Sequence, residues 1–421
     1  MSDLPAHIPK TSFRDLFLRA VDSFPRRRLK QMECRSAAGD LCRLCSAHAV
    51  NYEEERTAKE GALREFWNAG AFTCTLEPLI PSPRGRNYRI VSKRRAFHSN
   101  GRVRLALNEL AEGEVGSNPL QVGVCVIEPE AHAMIYHSVQ GALEKREMEE
   151  LRRVLNHVIV KGSYDEFAVI FNLAAFNPSL RKLINLVSRG ITGAVDGVSG
   201  VFVVIDPTRS GYYMPQHAGG RGNEVQKLFG RSDILHTVRG RRYLFSPSSF
   251  SQINLSILEK LVEGVEGFLR PEKSDVLLDL YSGYGIFTLG LSNGVKSALG
   301  IEISREAIRN AEANAVRQGV SNCEFIPGDI NERSCYRVLS SNPLISKAIL
   351  DPPRNGTKPG VIETFKGSKI SRIVHLFCNI DIVGKELERW SYSGYRAVRA
   401  IPFDMFPGTG EIELMVLLEQ R

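Results

Sequence analysis

Short apolar runs, each closed by a glycine turn or an acid, recur through the C-terminal part of the chain. Val276-Leu-Leu-Asp-Leu280 ends in a glycine turn, and the pattern predicts a helix from about Phe287. Ala298-Leu-Gly-Ile-Glu-Ile303 is a second strand signal. After it Ser304 is placed to cap a helix carrying Ala307, Ile308, Ala311 and Ala315 at helical spacing. Lys347-Ala-Ile-Leu-Asp351, Arg372 to Cys378, Tyr395 to Ile401 and Ile412 to Leu418 supply further strands. Strands alternating with helices argue for an α/β fold with a mostly parallel, doubly wound, Rossmann-like sheet. The last two signals have no long helix between them, which allows an antiparallel edge pair.

Upstream the character differs. Residues 1–33 hold Arg26-Arg-Arg28, little strand pattern and some helical signal, and Cys34 to Cys45 is short and cysteine-dense. Ala49 to Phe66 is charged and helix-like. From about Cys74 come alternating pieces such as Phe167-Ala-Val-Ile-Phe171 and Gly200-Val-Phe-Val-Val-Ile205, with a helix near Pro178 to Ser188. The expected division is an N-terminal segment (1–33), a cysteine-rich segment with a helix (34–73), a central α+β module (74–230) and a C-terminal α/β domain (231–421). A chain of 421 residues is long enough for two or three such domains.

Composition narrows the class. With 43% hydrophobic and 24% charged residues the chain reads as globular, and no apolar stretch approaches the roughly 18 residues a membrane helix needs. The expected setting is the cytoplasm, with no membrane and no obligate protein partner. The +8 net charge matters for where it sits. Arg84, Arg86, Arg89, Lys93, Arg94, Arg95, Arg102 and Arg104 fall in one stretch without acids, interleaved with Tyr88, Phe97 and His98. Cations among aromatics suit a phosphate backbone with stacked, unpaired bases; a plain solvated basic face is the alternative.

The chemistry-bearing residues lie at strand ends. Asp279-x-x-x-Gly283-x-Gly285 occupies a strand-to-helix turn, where glycines let a ligand approach the backbone. Glu302 closes the next strand, a place where an acid commonly holds ribose hydroxyls. The third glycine of a dinucleotide loop is absent, which favours a compact sulfonium cofactor over a pyrophosphate. These residues, with Gly328-Asp329 and Leu350-Asp-Pro-Pro353, resemble the class I S-adenosylmethionine-dependent methyltransferases. The resemblance implies Glu302 on the ribose, Asp329 near the adenine, and Tyr281 and Gly283 at the methionine end.

Further motifs sharpen this. Phe250-Ser-Gln-Ile-Asn254, Asp351-Pro-Pro-Arg354, Cys378-Asn379, Asp404-Met-Phe-Pro407 and Glu413, taken with the glycine loop, resemble the RNA uracil-5 methyltransferase family from about Ser249 to Leu418. That family modifies tRNA or 23S rRNA. The likeness implies Cys378 as nucleophile, Glu413 as proton-abstracting base, Gln252 at the cofactor and Asp351 at the pocket, with Glu411 the rival carboxylate. Such a mechanism is intelligible: carbon 5 of uracil becomes a nucleophile only after a thiolate adds at carbon 6. The chain departs from the family pattern at Ser251, Ile286, Phe377, Ile380 and Gly408, and at Glu411, where a histidine is usual. Other readings are an RNA-binding or folding-assistance protein with a decayed site, and a methyltransferase for a tRNA uridine or an amino group.

Cys34-x7-Cys42-x2-Cys45 with the distant Cys125 offers four thiolates for zinc or an iron–sulfur cluster, and spacing does not choose between them. Cys74 competes with Cys125 for the fourth place. A subset of the same family, acting on 23S rRNA, carries a [4Fe-4S] cluster on cysteines spaced like this. The long first gap resembles the branch that lacks an N-terminal oligonucleotide-binding (TRAM) barrel. The implied substrate is a single-stranded or loop uridine of 23S rRNA.

Overall fold

The computed structural model describes residues 11–25, 33, 34, 42, 45–107, 122–210 and 225–421. The Arg26–Arg28 cluster lies outside the described residues. Two helices open the chain, α1 (Phe13–Asp22) and α2 (Tyr52–Ala69). The Ser12 hydroxyl accepts from the Asp15 N–H to start α1, and Phe13, Leu16, Phe17 and Val21 share its buried face. Asn51 and Glu54 cap α2 reciprocally.

The middle of the chain builds β1 (Thr75–Leu76), β2 (Val91–Ser99), β3 (Arg102–Ala106), α3 (Glu130–Leu143), α4 (Glu149–Val154), β4 (Leu155–Gly162), β5 (Phe167–Leu173), α5 (Pro178–Ala194), β6 (Val198–Ile205) and β7 (Gln226–Gly230). Six of these strands form one sheet in the order β3-β2-β4-β5-β6-β7. Helices α3 and α5 cover one face, where Val158, Val160, Val169 and Val203 meet Ile135, Val139 and Ile184. On the opposite face Ile159, Ile170, Phe202 and Val204 join the core of the C-terminal part. Helix α3 is not among the elements that the hydrophobic pattern predicts.

The hairpin β8 (Ile234–Val238) and β9 (Arg241–Phe245) leads into the last domain. There follow α6 (Leu258–Leu269), β10 (Val276–Leu280), α7 (Ile286–Gly290), β11 (Ser297–Glu302), α8 (Arg305–Arg317), β12 (Cys323–Pro327), α9 (Glu332–Ser341), β13 (Ile345–Leu350), β14 (Arg372–Phe377), α10 (Val383–Tyr392), β15 (Tyr395–Phe403) and β16 (Glu413–Gln420). The sheet order is β1-β15-β16-β14-β13-β10-β11-β12. Strands β10 to β14 run parallel, and β16 is antiparallel to both of its neighbours. This is the mixed, mostly parallel sheet of a class I methyltransferase-like α/β fold.

The expected antiparallel pair β15–β16 is present, but not at an edge. β16 inserts between β14 and β15, and β15 is covered in turn by β1, from the N-terminal side of the chain. The chain winds from β10 outward to β12, then returns to β13 on the other side of β10. That reversal opens a crevice beyond the carboxyl ends of β10 and β13.

Candidate active site

Asp279 stands one residue before the end of β10, fully buried. Its Oδ2 accepts from the Thr288 N–H at 3.0 Å and from the Thr288 hydroxyl at 2.5 Å, bracing α7 against the strand. Burial pushes this carboxyl up to about 7, Asp351 and Glu302 add repulsion, and the Thr288 hydrogen bonds oppose. The turn that follows has Tyr281 at φ +69, Gly283 at +54 and Gly285 at +87. Glycine tolerates that left-handed backbone. The Gly283 N–H donates to Glu302 Oε2 at 3.1 Å, and the Ser304 N–H donates to Oε1 at 2.8 Å. Glu302, closing β11, is therefore oriented by the very loop it faces. Asp329 is exposed and paired with Lys358 at 2.5 Å, which holds its carboxyl below the usual range. Gln252 is half-buried in a segment fixed on both sides. Lys161 of β4 donates to the Ser249 carbonyl, and buried Asn254 donates to Ser82 Oγ and the Met405 carbonyl.

The sheet register places the thiol and the late carboxylate opposite each other. Phe377 of β14 pairs with Leu414 of β16 in an antiparallel ladder. One step further, Cys378 leaves β14 as Glu413 enters β16. The Cys378 thiol is half-buried and pushed up to about 12, by burial first and then by Glu413 and Asp351. Glu413 is 1% exposed, its Oε1 has no hydrogen-bond partner, and burial and Asp351 push its carboxyl well above the usual range. Asp351, just past β13, is pushed up to about 7 by burial and Glu302. Arg354 is the cation that favours the Cys378 thiolate, and Glu411 pairs with it at 2.5 Å. The Asn379 amide donates to the Arg354 carbonyl at 3.3 Å, tying the two turns together. Arg354 closes the Asp351-Pro-Pro-Arg354 motif, yet the sequence alone assigns it no role. The departures Phe377 and Ile380 point into the core, where Phe377 stacks on His375 with centroids 4.0 Å apart.

The cysteines form a second centre. Cys34, Cys42, Cys45 and Cys125 all line one cavity of about 270 Å³, with Arg89 and Lys93 at its wall. Burial pushes the Cys45 thiol up to about 12, and Cys125, Cys34 and Cys42 all add to that. Among the described residues no group of three or more histidine, cysteine, aspartate or glutamate side chains is arranged to hold a metal ion. Cys74 belongs to a different core, and its carbonyl accepts from Trp67 Nε1. The basic stretch divides in two. Arg86 and Arg94 turn inward to Glu55 and Glu128, while Lys93, Arg95, Arg102 and Arg104 are exposed on the β2–β3 hairpin.

Residues 225–421 match the model of the tRNA (uracil-5-)-methyltransferase family. That segment, a little under half of the chain, is similar to the RNA uracil-5 methyltransferases. An uncharacterised RNA methyltransferase of Streptococcus pyogenes is 26% identical over 273 residues, 65% of this chain and 57% of that one. Another from Thermotoga maritima is 26% identical over 385 residues, 90% of this chain and 82% of the relative. The chain thus spans about half the length of the S. pyogenes relatives it matches. Among solved structures, the Pyrococcus abyssi tRNA (uracil-54, C5)-methyltransferase in complex with S-adenosyl-L-homocysteine aligns with a TM-score of 0.65. It is 19% identical and covers 90% of this chain and 86% of that one. The likeness in fold therefore extends over the central module as well as the matched segment. No helix among the described residues is long and apolar enough to cross a membrane.

Proposed function

We propose that the chain transfers a methyl group from S-adenosylmethionine to carbon 5 of a uridine in 23S rRNA. The observation that carries this is the confrontation of Cys378 and Glu413 at adjacent strand ends, beside the acid-lined crevice. Asp279, Glu302 and Asp351 repel one another there, so a cationic ligand is favoured over a neutral one. Gln252, Tyr281, Gly283, Glu302, Asp329 and Asp351 would hold that ligand. S-adenosylmethionine, when bound, supplies the electrophilic methyl group and a positive charge.

The protein's own groups do the rest. The Cys378 thiol gives up its proton to solvent water, its thiolate favoured by Arg354, and its sulfur bonds to carbon 6 of the ring. The ring electrons move to carbon 5, which accepts the methyl. Glu413 then takes the carbon 5 proton, and the sulfur–carbon 6 bond breaks to free the thiolate. A carboxylate whose pKa is raised by burial is a stronger base than an ordinary one.

The four cysteines Cys34, Cys42, Cys45 and Cys125 are proposed to hold a [4Fe-4S] cluster. Four cysteines lining one cavity beside Arg89 and Lys93 suit an anionic polynuclear cluster better than a single zinc. The exposed cations of the β2–β3 hairpin would meet the RNA backbone. A tRNA uridine is the second reading, favoured by the description of the matching family.

The test is methyl transfer from labelled cofactor to unmodified 23S rRNA fragments and tRNA, with the product nucleoside mapped by mass spectrometry. A denaturation-resistant adduct with 5-fluorouridine RNA is expected for the wild type and not for Cys378→Ala. Transfer that survives Cys378→Ala would point to an amino group, and binding without transfer to a decayed enzyme. Iron and sulfide analysis of anaerobically purified protein tests the cluster, and stoichiometric zinc without iron rejects it.

A further inference from the structure

The segment matching the family contains the thiol and the carboxylate, yet it does not hold them in place by itself. Three anchors reach in from residues 12–59. The first grips the turn after Cys378: the Phe13 N–H, at the start of α1, donates to Asp381 Oδ1 at 2.9 Å. Asp381 in turn lies near enough to Arg354 to act on its charge, as does Cys378.

The second anchor grips the loop that leads to Glu413. Lys59 Nζ donates to Asp404 Oδ1 at 2.7 Å and to the Phe406 carbonyl at 3.0 Å, and the Tyr52 hydroxyl donates to Asp404 Oδ2 at 2.9 Å. The Gly408 N–H donates to Glu55 Oε1 at 2.5 Å, while its carbonyl accepts from the Ser46 N–H at 2.6 Å. The third anchor is steric. A Cβ at Gly410 would stand 2.9 Å from Arg14 Cγ and 3.1 Å from a Phe17 ring carbon, so α1 lies directly on that residue. Glu55, Lys59 and Asp404 are all fully buried. Nothing in ordinary helix packing needs three charges there.

We infer that α1 and α2 form a clamp that sets the spacing between nucleophile and base. Asp381, Tyr52, Glu55 and Lys59 are its positioning residues. Helix α1 ties the Cys378 turn to the Gly410 end of the carboxylate loop, and α2 fixes the rest of that loop. Small displacements of reacting groups cost on the order of 100-fold in rate, so the clamp acts on turnover rather than on binding. The inference rests on the roles proposed above for Cys378 and Glu413.

The experiment compares Asp381→Ala, Asp381→Asn and Tyr52→Phe with the wild-type full chain. Asn keeps an oxygen to accept from Phe13, whereas Ala does not. In Asp381→Ala, kcat is expected to fall roughly 10- to 100-fold with both KM values within about threefold, and Asn restores most of it. In Tyr52→Phe the release step slows, so a denaturation-resistant adduct with ordinary uridine RNA accumulates, as in Glu413→Gln. Unchanged kcat in both variants, or a loss that Asp381→Asn shares in full, overturns the clamp. Should Asp381→Ala fail to fold, Tyr52→Phe carries the test. Absence of the wild-type 5-fluorouridine adduct would instead overturn the roles of Cys378 and Glu413.

Discussion

Lys59→Met probes the buried charges most directly. The ammonium stands 2.7 Å from Asp404 and 3.2 Å from Glu55, all three side chains being 0% exposed. Removing it leaves Glu55 with Arg86 at 2.8 Å, but leaves Asp404 with hydrogen-bond donors and no cation. Breaking a buried pair in this way costs about 3–5 kcal/mol. The loss has a ceiling, because Asp404 can take up a proton instead. At pH 7 that costs about 1.4 kcal/mol for each of roughly three units between the pH and an ordinary aspartate pKa, or about 4 kcal/mol. Burial already holds the folded-state pKa of Asp404 above its usual value, and losing Lys59 raises it further. The folded protein then binds the extra proton, and the penalty shrinks as pH falls toward about 4. Urea unfolding of both proteins at pH 7.5 and pH 5 measures this. A destabilisation of about 4 kcal/mol at the higher pH should drop to roughly half that or less at the lower. A loss below about 1 kcal/mol at pH 7.5, or one that ignores pH, would refute the assignment of Lys59 as the counter-charge of Asp404.

Asp279 and Asp351 both have carboxyls raised to about 7, so the wild type should lose stability as pH rises from about 4 through 7, with Asp351→Asn flattening that slope in thermal melts. Glu411→Gln releases Arg354 toward Cys378, which should move the alkaline-rising limb of the pH–rate profile to lower pH; an unmoved limb would show that Arg354 does not act on the thiol. Gly300→Ala drives a Cβ to 2.7 Å from the Phe325 ring and 2.8 Å from Ser282 Oγ, and should cost about 1–3 kcal/mol by chemical denaturation while raising KM for the cofactor.

Much of the C-terminal domain could be read from the chain because its strands are short, apolar and closed by glycine or acid. Val276–Leu280 and Ser297–Glu302 illustrate this: period and punctuation agree, and Asp279 and Glu302 fall where such folds bind ligands. Cys378 and Glu413 were legible through ordered motifs, and the sheet then places them across from each other. The clamp was not legible, since Phe13–Asp381 and Lys59–Asp404 join residues 368 and 345 positions apart. One local signal did exist. Glu55 and Lys59 share the apolar stripe of α2 with Ala58, Ala62 and Phe66, and charges on a buried stripe require partners elsewhere. The position of β16 was hidden for another reason: strand order is set by long-range packing, and the sequence pattern reports only that a strand exists.

The two-residue strand β1 matters beyond its length. It shields the outer rim of β15, helped by the Glu77–Arg399 ion pair and a bridge from Ile80 to Phe403. A shortened protein begun at residue 225 would lose that cover and leave a row of unpaired amides and carbonyls open to intermolecular pairing. Moving residues 225–421 onto another scaffold would therefore demand that residues 75–80 travel with them, although the two pieces are far apart in the sequence.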